Sequence, residues 1–277
     1  MSQNSGLKRN TADKFYTKDI VVRHFCAEIQ QYLTVDKVKD LIIEPSAGSG
    51  AFIPQLQKMC SNTLFTDIYP DSPLIQKVDF LNTDYTNLRE KYNNIHVVGN
   101  PPFGRQSSLA TKFIKHAAKF ADSISFILPL SFKKASYQKK VPLEFHCIFQ
   151  ADVQDNAFTL GRDNKSHDVP CVFQIWEKRS VNRTLPHTMS PIGFEFVKKN
   201  KDPHASVRRV GSKAGQIDYE ISDKNKNSHY FIKFTEQPTD RIKEKLSKLQ
   251  FKQSNYVVAA KSISKQELIR EFNTALE

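Results

Sequence analysis

Cysteine is scarce in this 277-residue sequence: Cys26, Cys60, Cys147 and Cys171 stand far apart and form no CxxC pair. That excludes a disulfide scaffold and a zinc framework, and it fits a reducing compartment. No run approaches the ~20 consecutive apolar residues of a membrane span, and the first thirty residues lack a secretory apolar core. The expectation is an intracellular protein with no membrane partner. The eight histidines make no HxxH or HExxH spacing, so no metal site is assigned. A P-loop, a nucleophile elbow, internal repeats and low-complexity tracts are also absent.

Acidic residues are the minority. Lys and Arg number 41 against 29 Asp and Glu, a formal charge of +12. A basic excess of this size suits a polyanion such as nucleic acid. Residues 181–277 hold 18 Lys+Arg against 11 Asp+Glu, so positive charge is concentrated in the C-terminal third. The 39% apolar and 25% charged content is ordinary for a globular chain and excludes disordered and collagen-like classes.

Apolar residues at Ile20, Val21, Phe25, Ile29 and Leu33 have helical spacing. Leu41 to Ile43 then reads as a strand ending at Glu44-Pro45, and Ser46 to Gly50 as a turn, with a helix from Ala51. Further strands are read at Thr63–Ile68, Ile95–Val98 and Ile124–Leu128, with a helix at Ser108–Phe120. Cys147–Val153 and Val169–Trp176 alternate like two strands joined by a polar loop, Gln154 to Asp168. Strands alternating with helices predict an α/β, mostly parallel sheet, with an antiparallel hairpin at its edge. The expected organisation is a flexible N-terminus at 1–13, a main domain at 14–180 and a basic C-terminal region at 181–277. Within the last, Thr239 to Leu249 reads as an amphipathic helix.

Three groups of residues carry chemistry. In Glu44-Pro45-Ser46-Ala47-Gly48-Ser49-Gly50 the glycines let a ligand approach the backbone at the carboxyl end of a strand, where open α/β sheets bind ligands. Asp67, 17 positions after Gly50, ends the next strand, where an acid can accept both hydroxyls of a ribose. Asp79 and Phe80 could set a carboxylate and a ring against an adenine. Asn100-Pro101-Pro102-Phe103 is the most informative tetrapeptide. An exocyclic adenine amino group is a poor nucleophile because its lone pair is delocalised. An Asn side-chain oxygen and a backbone carbonyl accepting its two N–H bonds localise that pair. Pro101 offers a carbonyl and no N–H, and two prolines keep the segment rigid. Phe103 offers a face on which a flipped base can stack.

On these residues the chain resembles the S-adenosylmethionine-dependent amino-methyltransferases that carry the N/D-P-P-F/Y/W signature. The match covers about residues 14–178. The resemblance implies a seven-stranded Rossmann-like class I methyltransferase domain with S-adenosylmethionine as cofactor. It assigns Glu44, Pro45, Ser46, Gly48 and Gly50 to the cofactor loop, Asp67 and Ile68 to the ribose and adenine, and Asp79 and Phe80 to the adenine end. Asn100 to Phe103 become the catalytic tetrapeptide, with Asn100 also beside the cofactor. Tyr16 and Thr17 match a segment that closes over the methionine end, although Lys18 stands where many members have Pro.

The function so implied is methylation of the N6 amino group of adenine in nucleic acid, DNA ahead of RNA. Candidate nucleic-acid contacts are Arg105, Phe158, Arg162, Lys165, Arg208, Arg209 and Lys213, with 181–277 as a recognition region. An RNA adenine methyltransferase, a protein glutamine-amide methyltransferase and a catalytically silent nucleic-acid-binding scaffold are the alternatives. A nicotinamide-dependent dehydrogenase is disfavoured, because its G-x-G-x-x-G fingerprint is broken by Ile53.

Overall fold

The computed structural model describes residues 15–160, 165–167, 169–256 and 261–277. The chain divides between Thr184 and Leu185 into two compact units. No described helix is long and apolar enough to cross a membrane.

In the first unit the strands are β1 (Phe15–Thr17), β2 (Leu41–Glu44), β3 (Thr63–Asp67), β4 (Gln76–Lys77), β5 (Ile95–Gly99), β6 (Ser123–Pro129), β7 (Phe145–Asp152), β8 (Phe158–Leu160), β9 (Lys165–His167) and β10 (Cys171–Lys178). Its helices are α1 (Asp19–Tyr32), α2 (Ile53–Met59), α3 (Ser108–Ala117) and the single turn α4 (Ala135–Gln138). Seven strands form one sheet in the order β4-β3-β2-β5-β6-β10-β7. All neighbours in it are parallel except β10, which runs antiparallel to β6 and β7. This is the Rossmann-like sheet with an antiparallel edge hairpin that the sequence predicts.

The apolar run at β2 shows why the sheet is covered on both faces. Successive strand side chains point to opposite faces. Ile42 joins one core with Val22, Phe25, Leu56 and Phe173, on the side of α1 and α2. Leu41 and Ile43 join the other with Val97, Phe113, Ile114 and Phe126, on the side of α3. A strand buried on both faces carries continuous rather than alternating hydrophobicity.

From β2 the chain builds outward through β3 and β4, then returns to place β5 on β2's other flank. The carboxyl ends of β2 and β5 therefore flank the point where strand order reverses, the usual crevice of such sheets. Glu44 ends β2, and Asn100 follows β5 directly.

Two local expectations need correction. The stretch Gln154 to Asp168 is more than a loop: it contains the strands β8 and β9, and β1 pairs antiparallel with β8 in a second, three-stranded sheet. Ala157 and Phe158 anchor that hairpin by entering the core, a long-range contact that a polar local composition conceals. Helix α2 begins at Ile53 rather than Ala51, because the left-handed turn at Gly50 (φ 88°) must first unwind. The expectation of a flexible segment at 1–13 lies outside the described residues.

The second unit has its own antiparallel sheet of β11 (Phe194–Val197), β12 (Ala205–Arg208), β13 (Ile217–Asp218) and β14 (His229–Phe234), in the order β11-β14-β12-β13. Helices α5 (Asp240–Ser247) and α6 (Lys265–Leu276) share its core, which holds Val207, Ile232, Phe234, Leu246 and Phe272. Helix α5 is the expected amphipathic helix, started by the Thr239 side chain accepting from the Ile242 N–H. Helix α6 begins in the same way, with the Ser264 hydroxyl accepting the Glu267 N–H at 3.1 Å.

Candidate active site

The glycine turn after β2 is built by its own backbone bonds. Ala47 N–H donates to the Thr66 carbonyl (2.9 Å), and the Gly48 carbonyl accepts from Asp71 N–H (3.1 Å). The Asp67 carboxylate accepts from Gly48 N–H and from Tyr69 N–H, both at 2.8 Å. The acid expected at the ribose thus also fastens the turn to the end of β3. Gly48 has φ 55°, and a Cβ there would stand 3.6 Å from the Tyr16 ring. Tyr16 therefore lies directly over the turn.

Asn100 reaches the same place from β5. Its backbone carbonyl accepts from the Ser46 hydroxyl (3.2 Å), and its Nδ2 donates to Thr17 Oγ1 (3.2 Å). With Nδ2 so committed, Oδ1 remains to accept; among the described residues no donor reaches it. Tyr16 donates its phenol proton to Asp71 Oδ2 (2.8 Å), which carries β1 across the turn. Tyr16, Thr17, Glu44, Ser46, Gly48 and Asn100, all expected at the site, line one pocket together with Phe15, Ala47 and Phe52.

Glu44 is the unusual member. It is 2% exposed, and among the described residues its Oε2 has no hydrogen-bond partner. Burial, with the Asp67 carboxylate adding to it, pushes its acid up to about 8. An acid held neutral in a pocket stands ready to release its proton to solvent when a cation arrives beside it.

The tetrapeptide is locked from behind. The Phe103 carbonyl accepts from Leu109 N–H (3.1 Å) and Ala110 N–H (3.3 Å) at the start of α3. Gly104 follows at φ 68°, where a Cβ would fall 2.7 Å from Leu109 Cβ. Only glycine fits so tight a reversal. Phe103 is half-buried and packs against both cores, Pro101 is buried and Pro102 is exposed.

Other expected residues lie apart from the pocket. Ile68 is 50% exposed beyond Asp67, a free apolar side chain on the rim of the turn. Asp79 caps a one-turn helix, accepting from Leu81 N–H (3.1 Å) and Asn82 Nδ2 (2.7 Å). Phe80 must be corrected: its ring is 2% exposed and packs against Phe113 (5.2 Å) and Tyr85 (5.3 Å), so it is a core residue. Phe158 needs the same correction. It is 2% exposed in the core and touches only the wall of a separate cleft of about 240 Å³, beside Asp152, Asp155 and Val169.

Arg105 is exposed two residues past the tetrapeptide. Lys165 lies in β9, and Arg162 falls outside the described residues. Arg208, Arg209 and Lys213 belong to the second unit. There Arg208 Nε donates to the Val210 carbonyl (3.1 Å), Arg209 lies 5.6 Å over the Tyr230 ring, and Lys213 is exposed. Asp71 and Gly104 escaped sequence reading. The glycine directly after the tetrapeptide was a usable signal, whereas nothing local marks Asp71. Among the described residues no three His, Cys, Asp or Glu side chains gather as a metal site.

The sequence matches no protein-family model and no curated protein. Solved structures resemble part of the chain. The chain is similar to Thermoplasma acidophilum 1320 (16% identity, TM-score 0.42, covering 60% of this chain and 89% of that one). It is similar to the 23S rRNA methyltransferase ErmE (13%, TM-score 0.42, 61% and 70%). A third likeness is to the N-methyltransferase NodS of Bradyrhizobium japonicum (10%, TM-score 0.39, 57% and 97%).

Proposed function

We propose that the protein is an S-adenosylmethionine-dependent methyltransferase acting on the N6 amino group of adenine in nucleic acid, DNA ahead of RNA. The observation that carries this reading is the shared pocket: Asn100, with its Oδ1 left to accept, stands beside the glycine turn and under the Thr17 hydroxyl. A binding turn alone would serve many cofactors. A rigid amide acceptor next to it serves a reaction at an N–H nitrogen.

The chain's residues fit this cofactor on a separate ground. The orphaned Glu44 Oε2 is a buried acceptor, suited to the ammonium of the cofactor's amino-acid end. Ser46 to Gly50 would cradle that end, Asp67 would take the ribose hydroxyls, and exposed Ile68 would cover the adenine. When bound, the cofactor supplies an electrophilic methyl group on a sulfonium.

The protein's part is positioning and electrostatics. Asn100 Oδ1 accepts one amino proton of the target and the Pro101 carbonyl accepts the other, drawing the nitrogen toward tetrahedral geometry. Both acceptors are held before substrate arrives, Asn100 by Thr17 and Ser46, and the segment behind them by the α3 cap. Preorganised dipoles need no rearrangement in the transition state. The half-buried Phe103 ring supports the base. No strong base is required, because the proton becomes acidic once the nitrogen is methylated.

Mass spectrometry of nucleosides tests this directly. DNA and RNA are incubated with the protein and isotope-labelled cofactor, then digested. Label on N6-methyladenosine or its deoxy form is expected. Label only on protein glutamine, or on nothing, overturns the reading.

A further inference from the structure

We propose that the exposed face formed by Arg105, α3 and the turn after α4 is where the nucleic-acid backbone lies as it enters the site. This rests on the nucleic-acid reading above and adds a surface to it.

Helix α3 starts directly behind the tetrapeptide. Its Ala110, Phe113, Ile114 and Ala117 are buried in the core, while Lys112 and Lys115 are exposed. At 1.5 Å per residue those lysines stand ~6 and ~10 Å along the axis from Ser108. Lys139 and Lys140 are exposed just after α4. Among the described residues, no carboxylate pairs with Arg105, Lys112, Lys115, Lys139 or Lys140, whereas nearby Lys133 pairs with Asp152 and Arg89 with Asp122. Lys115 is close enough to Lys140 that, after partial burial, its charge helps hold the Lys140 ammonium below its ordinary value. Like charges gathered without a carboxylate paired to them suit a polyanion.

The face is also tied to the catalytic loop. Tyr137 of α4 donates its hydroxyl proton to the Gln106 carbonyl (3.3 Å), and Lys140 Nζ lies 3.9 Å from the Tyr137 ring centre. The hydroxyls of Ser107 and Ser131 meet at 3.2 Å. Gln106 and Ser107 are both held in left-handed conformations (φ 52° and 58°), which non-glycine residues rarely adopt without surrounding support. The turn that follows the tetrapeptide is thus joined to α4 and continues into α3, the two elements that carry or precede the lysines. A phosphate chain lying on this face would deliver a base to Asn100.

The test uses the full chain with Lys112, Lys115, Lys139 and Lys140 all changed to Gln. Binding of labelled single-stranded and duplex oligonucleotides is followed by anisotropy over a salt series, and a cofactor titration reports correct folding. Each phosphate contact contributes ~0.7 to 0.9 to the slope of log affinity against log salt. The slope should fall by about 3 and binding should weaken more than roughly tenfold. Changing Lys37, Lys39, Lys58 and Lys91, at the opposite ends of the strands, should leave the slope nearly unchanged. A wild-type protein that binds and methylates nucleic acid, while the first variant keeps its slope, overturns this surface alone. A wild-type protein that binds no nucleic acid overturns the functional reading with it.

Discussion

Each end of the main sheet buries a carboxylate, and the two are treated in opposite ways. At the amino ends, Asp40 is 1% exposed and saturated. It accepts from Asp36 N–H (2.7 Å) and from both Asn94 N–H and Asn94 Nδ2 (3.0 Å each), and it meets His96 Nε2 at 3.3 Å. His96 in turn contacts the Ser123 hydroxyl at 2.8 Å, so one cluster pins the starts of β2, β5 and β6. At the carboxyl ends, Glu44 is as deeply buried, yet among the described residues one of its oxygens has no partner. Buried polar atoms in folded proteins are overwhelmingly bonded, and an exception calls for a reason. Asp40 serves the fold; Glu44, beside the glycine turn, is the acceptor we propose for the cofactor.

Breaking the cluster should give the largest effect. Asp40→Ala leaves His96, Asn94 and the Asp36 N–H without their buried partner and should cost about 3–5 kcal/mol in chemical denaturation. Cofactor affinity, measured where the variant is still folded, should hardly move. If that affinity collapses, the division between the two ends is wrong.

Asp67, which we propose for the ligand side of the comparison, also fastens the turn. Asp67→Ala removes the anchor of the Gly48 N–H as well as the proposed ribose acceptor. Calorimetric cofactor affinity should drop by about 10- to 100-fold.

Glu44 sharpens the contrast through pH. Without cofactor, burial and the Asp67 carboxylate push its acid up to about 8, far above an unfolded glutamate at 4.5. The folded state therefore holds this proton more tightly, and stability falls as pH rises between those values, by at most ~1.4 kcal/mol per unit. Binding a cation runs the other way, because it favours the charged form and releases the proton. Cofactor affinity should climb up to about tenfold per pH unit from 6 toward 8. Glu44→Gln should flatten both profiles, leaving the empty protein at least as stable at pH 8 while weakening cofactor binding.

The smallest expected effect is at the strap. Tyr16→Phe deletes the bond to Asp71 and should speed cofactor release several-fold in stopped-flow measurements, equivalent to ~1 kcal/mol. An unchanged release rate would mean that the β8 pairing and the Asn100–Thr17 bond hold β1 without this contact.

How much of this was legible follows from the range of each interaction. The placement of the glycine turn and the tetrapeptide at strand ends could be read because it depends on neighbours in sequence: Gly after a strand end, Asn before two prolines. The doubly buried strands were visible as unbroken apolar runs. Phe80 and Phe158 misled because an aromatic beside an acid or in a polar stretch reads the same locally whether it faces a ligand or the core. Only the packing of Phe113 and Tyr85 around Phe80 decides it. The Asp40–His96 contact joins residues 56 positions apart, and the lack of a partner for Glu44 Oε2 among the described residues depends on the fold around it. The lysine face is split between α3 and the turn after α4, so no single stretch of sequence displays it.

Single-turnover transfer at saturating cofactor tests the central claim most directly, comparing wild-type protein with Asn100→Ala on an adenine-containing oligonucleotide. The account predicts labelled N6-methyladenine from the wild type, and for the variant a transfer rate lower by about 100- to 1,000-fold with a nearly unchanged cofactor dissociation constant. Equal rates from both proteins, or a loss explained wholly by weaker cofactor binding, would contradict it.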